Sequence, residues 1–398
     1  MLKSLFVISF FILALGQLSS VSKSEGINLY LFDVFILIYA LLGIVYLLIN
    51  RQLIIPKTLV MFFIFCFIGL TTLVANKYKL ETFEFLTSIS YLIRLFIYLL
   101  FATTTFNLLT KNIIKTDIII KTIILSGVII CILGFIQLII LPDFEVLDPD
   151  FGWDPHKYRL ASTFFDPNFT GAYINLCFIL LLYYKLDLKG RISKKLFYIL
   201  LILFLISLLL TFSRSAWLMF SLIVLIYGIL KSPKLIIMAG LMAFLAYFAV
   251  PRIQTRISGS TDPADSAYYR FISWSNAVEI SKDNPVIGVG FNAYRYAQLE
   301  YGFVSPDTLG GHSGAGSDSS LLLVLATTGI IGFVIFLMGL MHPLILFFKS
   351  KEFIFYTLSF LGLMVHSLFV NSLFFPQIAV LWILFLALAE YFNFSSRT

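Results

Sequence analysis

Most of the chain is apolar, and the residues whose types could do chemistry are therefore few. Three arginines stand out: Arg159 in "YRLASTFFDPNFTG", Arg214 in "LLLTFSRSAWLMF" and Arg270 in "DSAYYRFISW". Brought together, three guanidiniums would suit a diphosphate, because the planar fork pairs bidentately with phosphate oxygens. His312 and Asp318 lie in "GGHSGAGSDSSLLL", a Gly- and Ser-rich stretch of the kind that carries catalytic groups. Either could take a proton from a hydroxyl nucleophile, the imidazole near neutral pH and the carboxylate if partly buried. Asn168 follows Asp166-Pro167 where an apolar run begins; it reads as a helix cap or as a ligand contact beside the N-terminus. Arg94 lies inside the apolar run "SYLIRLFIYLLFA" with no acidic residue three or four positions away, so its partner must come from elsewhere.

Each of these has a plainer reading. Arg214 could be a snorkelling anchor, Arg270 a surface charge and His312 a solvated loop residue. Asp318, or Ser319 beside it, could cap the next helix. Arg94 could be half of a structural ion pair.

The elements that position these residues are membrane spans. Of the 398 residues 60% are hydrophobic and only 12% charged, too few charges to cover a soluble protein of this length. Apolar runs long enough for a bilayer recur throughout. They predict an all-α polytopic membrane protein, one integral membrane domain over 1–398. Its twelve spans lie near 3–20, 28–49, 57–75, 85–109, 118–141, 168–184, 195–212, 214–230, 234–250, 319–348, 352–373 and 376–394. The first run has the lysine and apolar stretch of a signal peptide but no small-x-small cleavage site, and an uncleaved span is expected. With the N-terminus cytoplasmic, the inner segments and adjoining span ends hold 16 of the 28 Lys and Arg but four of the 21 acidic residues. That bias places both termini in the cytoplasm. The net charge of +7 is thus a topology signal, and no nucleic-acid partner is expected.

Two long extracytoplasmic segments follow from this count, 142–167 and 251–318. The second contains an amphipathic helix near 266–282, startable by Asp265 or Ser266, with Phe271, Trp274 and Val278 on one face for the membrane interface. Arg159, Arg214 and Arg270 all fall on this side.

Other motifs carry less. Asp148-Pro149-Asp150 matches a D-x-D metal motif, but no nucleotide-binding α/β domain surrounds it, and a solvated acidic loop is the better reading. "GVGFNAY" lacks a GxGxxG and a preceding strand, so Gly288 and Gly290 read as turn formers. Cys66, Cys131 and Cys177 sit within apolar runs as small core residues. His342 and His366 read as packing or hydrogen-bonding residues, and His156 as a weaker base candidate.

Four stretches, in this order, resemble the O-antigen ligase/polymerase family of bacterial envelope enzymes: "RLASTFFDPNFTGAYI", "TFSRSAW", "YYRFISWSNAVEISKDNPVIGVG" and "DSSLLLVLATTGIIG". The resemblance implies a GT-C-like, metal-independent inverting glycosyltransferase with no cofactor, in the bacterial cytoplasmic membrane. The donor would be a glycan on undecaprenyl diphosphate and the acceptor a hydroxyl on lipid, glycan or protein, with membrane lipid as surroundings. By motif position Arg159, Arg214 and Arg270 are the diphosphate-binding arginines, with His312 or Asp318 as the base and Asn168 and Arg94 in support. Family members often carry His-Asn where this chain has Asp318-Ser319, with His312 six residues upstream; that departure leaves the base open. A lipid-linked glycan flippase or other transporter is the alternative, but it should line a path between both faces with charge, and here only Arg94 is deep.

Overall fold

The computed structural model describes residues 1–24, 27–147, 156–188, 192–259, 266–305, 316–348, 350 and 353–395. It is a bundle of α-helices: α1 Leu2–Leu13, α2 Leu31–Ile49, α3 Lys57–Ala75, α4 Thr82–Thr110, α5 Thr116–Ile140, α6 Pro167–Leu182, α7 Lys194–Leu210, α8 Arg214–Lys231 and α9 Pro233–Ala249. Then follow α10 Pro251–Ser258, α11 Ser266–Asp283, α12 Tyr294–Glu300, α13 Ser320–Phe347, α14 Phe353–Ser367 and α15 Pro376–Ser395. Eight of these are long and apolar enough to cross a bilayer, or nine if α9 and α10, which meet at 98°, count as one bent span. α1 and α14 are apolar but shorter. The chain is an all-α polytopic membrane protein, with one addition that the apolar pattern did not suggest. Strands β1 (Ser20–Ser24) and β2 (Ile27–Tyr30) form a small antiparallel hairpin ahead of α2.

α6 and α15 occupy the centre, apolar all round and buried along most of their length, as a helix must be when protein surrounds it. α4 packs on α15, α3 on α13, and α8 on α14 and α6. α9 lies at the edge with no buried residue among its 17, touching α8 and α10. The cysteines are buried free thiols, as their apolar settings suggest. At the end of the bundle away from the arginines, the Glu390 carboxylate of α15 accepts from the backbone N–H groups of Lys57 (2.9 Å) and Thr58 (2.8 Å). Pro56 provides no side-chain cap for α3, so a residue more than 300 positions away does so. Glu390→Ala should cost about 1–2 kcal/mol of stability, read as a lower thermal midpoint in detergent with transfer chemistry unaffected.

α13 is broken. Gly329 has φ 60° and ψ −169°, outside helical space, about 14 Å along the helix from Ser320 at 1.5 Å per residue. The segment 285–290 after α11 fills the break. Val289 N–H donates to Ala326 O and Gly290 N–H to Thr327 O, each at 3.0 Å, while Ile330 N–H donates to Pro285 O at 2.9 Å and Ile331 N–H to Val286 O at 3.5 Å. Gly288 and Gly290 are therefore more than turn formers: Gly288 lies so close to Thr327 that an added Cβ would stand 2.4 Å from its carbonyl carbon.

Candidate active site

The site assembles where the helix-entry residues of α6 and α8 meet. α7 and α8 are separated by only Thr211, Phe212 and Ser213, with Phe212 in the left-handed region at φ 46°. Ser213 caps α8 through Ala216 N–H, leaving Arg214 as the first helical residue. Asp166 caps α6, accepting from the N–H groups of Asn168 and Phe169. Asn168 is thus not the cap that its position suggested, because Asp166, two residues earlier, already serves those donors. Its carboxamide Oδ1 instead accepts from Ser213 Oγ at 2.7 Å and ties the two helix starts together. Two helix N-termini side by side favour a negatively charged occupant.

The segment carrying Arg159 is laid across this junction. Leu160 N–H donates to Leu210 O at 2.8 Å, and the N–H groups of Ala161 and Ser162 donate to Gln137 Oε1 of α5 at 3.0 and 3.2 Å. Thr163 Oγ1 donates to Ala14 O beyond α1 at 2.7 Å. Tyr158, Ser162 and Phe165 all have positive φ, 47°, 52° and 58°. Such backbone costs about 1–2 kcal/mol per residue and persists where surrounding contacts over-determine it.

The arginines converge here. Arg159 Nε donates to Thr211 O at 2.9 Å, its Nη1 lies 3.3 Å from His156 Nδ1, and its buried Nη2 has no hydrogen-bond partner among the described residues. Arg214 Nη1 donates to Arg256 O at 3.3 Å. Arg252 Nη1 donates to Tyr158 O at 2.9 Å, and its guanidinium lies over the Phe212 ring, 4.6 Å from the centroid. Burial, reinforced by the charges of Arg256, Arg252 and Arg270 and opposed by Asp166, pushes the Arg159 pKa down from its ordinary value. The guanidinium stays protonated, but at an electrostatic cost that a bound anion would relieve. Burial raises the Asp166 pKa, while its N–H donors, Arg159 and Arg270 pull it down. Four arginines thus act on or through one small region with Arg214 beside them, and Asp166 is the acid facing Arg159 and Arg270.

α11 brings in Arg270 and Asp318 together. Its inward face is Ala277, Ile280 and Ser281, whereas Phe271 and Val278 are exposed and Trp274 half-buried against Phe369, so the expected aromatic face is divided. Asp318 N–H donates to Ser273 Oγ at 2.9 Å, one turn beyond Arg270. Ser319, not Asp318, caps α13, accepting from Leu322 N–H. Asp318 is thereby released from the capping role and set beside α11. His312 lies outside the described residues, as do Asp148-Pro149-Asp150 and Asp265.

Arg94 is placed elsewhere. It pairs with Asp33 at 3.2 Å, bonds Asn28 O, and lies over the rings of Tyr91 and Tyr30 at 5.0 and 5.8 Å. Asp33 also accepts from Tyr98 Oη at 2.5 Å and from Tyr30 N–H at 3.2 Å. Asp33 is in the first turn of α2, so Arg94 lies nearer the helix ends than mid-span; the 29-residue α4 simply extends past α2. Its contacts are structural. Arg94→Ala should cost about 3–5 kcal/mol by stranding the buried Asp33 carboxylate, seen as loss of folded protein rather than as a slowed folded enzyme.

Arg252 and Arg256 escaped the sequence reading. Their signal is "PRIQTRIS", two arginines four apart after a proline that ends an apolar run, the pattern of a short amphipathic helix turning onto the membrane surface.

Residues 199–337 match the family described as O-Antigen ligase. The resemblance to the O-antigen ligase/polymerase family holds. The matched stretch includes Arg214, Arg252, Arg256, Arg270, His312 and Asp318, and the broken helix up to and beyond Gly329. No curated protein matches the chain significantly.

Proposed function

We propose that the chain is a membrane glycosyltransferase that moves a glycan from undecaprenyl diphosphate to an acceptor hydroxyl at the outer face of the bacterial cytoplasmic membrane. The observation that carries this is the gathering of Arg159, Arg252, Arg256 and Arg270, with Arg214 held to Arg256 O, at two adjoining helix N-termini. So much like charge in a desolvated place suits an occupant with several negative oxygens. A diphosphate leaving an anomeric carbon gains negative charge as the bond breaks, and preorganised guanidiniums lower that barrier. The acceptor oxygen attacks from the opposite face, which inverts the centre, and its proton passes to Asp318 or His312. A diphosphate leaving group stabilised by arginines needs no metal in this scheme. With both termini cytoplasmic, as the Lys and Arg bias implies, the site faces the compartment where such donors meet acceptors.

The transporter alternative draws on the break in α13, since broken helices bind substrate and ions in many transporters. Here Ala326 O, Thr327 O and the N–H groups of Ile330 and Ile331 are already bonded by segment 285–290, which favours a structural break.

The test is purified protein with a lipid-diphosphate glycan, with and without a candidate acceptor. A ladder from donor alone identifies a polymerase, and one product that needs added acceptor identifies a ligase. Absence of both transfer and donor binding would overturn the reading.

A further inference from the structure

A chain of hydrogen bonds runs from the α6–α8 junction into the bundle. Ser213 Oγ, which donates to Asn168, lies 3.1 Å from Ser215 Oγ, and Ser215 Oγ lies 3.2 Å from His366 Nε2. His366 Nδ1 is 2.5 Å from Ser372 Oγ, which donates to Val370 O at 3.2 Å. Ser213, His366 and Ser372 are fully buried, and Ser215 nearly so. An imidazole in such a place is tolerable only with both nitrogens bonded, and both are.

The two ring nitrogens of His366 each have a hydroxyl neighbour, and a neutral imidazole donates through one nitrogen and accepts at the other. Either way, the residues immediately before and after Arg214 are gripped: Ser213 by Asn168 of α6 and Ser215 by His366 of α14.

We infer that His366 is a positioning residue for Arg214, acting through Ser215 to hold the first turn of α8 in register with the diphosphate site. This rests on the reading of Arg214 as a diphosphate contact. The imidazole touches no substrate; it fixes the backbone from which the guanidinium projects, and misplacement of such a group by about 1 Å can cost 10²-fold in rate.

Ser215→Ala cuts the link with little change in packing. It should lower kcat by about 10- to 100-fold with a smaller change in KM, in protein that still folds but whose thermal midpoint is lowered by the unpaired His366 Nε2. Ser215→Thr keeps the hydroxyl and should recover most of the rate. His366→Asn should resemble Ser215→Ala, and the double variant should be no worse than the poorer single one, since both cut one line. In an Arg214→Ala background, Ser215→Ala should have no further effect. An unchanged kcat in Ser215→Ala, or an equal loss in the Arg214→Ala background, overturns the inference. Absence of transfer by the wild type is the separate failure of the glycosyl-transfer reading. Inorganic pyrophosphate binding then reads the link, with weaker binding by Ser215→Ala expected and equal affinity overturning it.

Discussion

Arg214→Lys is expected to lose transfer almost as completely as Arg214→Ala, about 10²- to 10³-fold in kcat, with both variants present in the membrane at wild-type levels. Charge alone does not fill this role. Arg214 is the first residue of α8, and one of its nitrogens is committed to Arg256 O at 3.3 Å. A guanidinium carries its donors in a planar fork that matches phosphate oxygens, whereas an ammonium is a single compact charge. The Ser213 cap remains in both variants, so α8 should begin where it does now. The measurement is turnover of a lipid-diphosphate glycan, normalised to protein extracted from the membrane. Wild-type turnover in the lysine variant would contradict bidentate recognition.

The largest loss of stability is expected at the break in α13. A Cβ on Gly329 would stand 2.2 Å from Val286 O and 2.3 Å from its carbonyl carbon; one on Gly288 would stand 2.4 Å from Thr327 C. These obstacles are backbone, which cannot rotate aside, and both glycines have positive φ, 60° and 65°. Gly329→Ala and Gly288→Ala should each cost upwards of about 4 kcal/mol, appearing as failure to accumulate or as a sharply lower thermal midpoint. Gly240→Ala is the control. It lies in the lipid-exposed α9 with nothing within 4 Å of its would-be Cβ, and should be neutral or slightly stabilising. Equal behaviour of the three variants would mean that segment 285–290 does not occupy the break.

The membrane-spanning helices were legible in the sequence because bilayer thickness sets the length of an apolar run, whatever the run packs against. The tight α7–α8 turn was legible too, since "LTFSRSA" leaves no room for a loop. Pairings across long separations were not. Asp33 and Arg94 are 61 positions apart, and neither residue signals the other. Arg159 and Arg214 are recognisable individually, but bringing Arg159 onto the α7–α8 turn depends on Gln137 and Ala14 holding segment 158–165, and a lone glutamine in an apolar helix carries no address. Asn168 stayed open between cap and contact because a short polar residue at a helix start fits both, and the Asp166 cap together with the bond from Ser213 separates the cases. The glycine of "TTGIIG" hid the break in α13, since glycine is common within membrane helices. His366, read as a packing or hydrogen-bonding residue, does hydrogen-bond; what its neighbours in sequence could not convey is that the line leads to Arg214.

The plugged break also bears on how the protein is made. Bare carbonyls and N–H groups in the hydrocarbon would each cost several kcal/mol, so α13 cannot settle into lipid as two half-helices waiting for a partner. Residues 285–290 precede α13 in the chain and leave the ribosome before it. Order of synthesis thus delivers the stopper ahead of the gap that it closes, and a circular permutant that reverses this order should insert poorly even with every native contact still encoded.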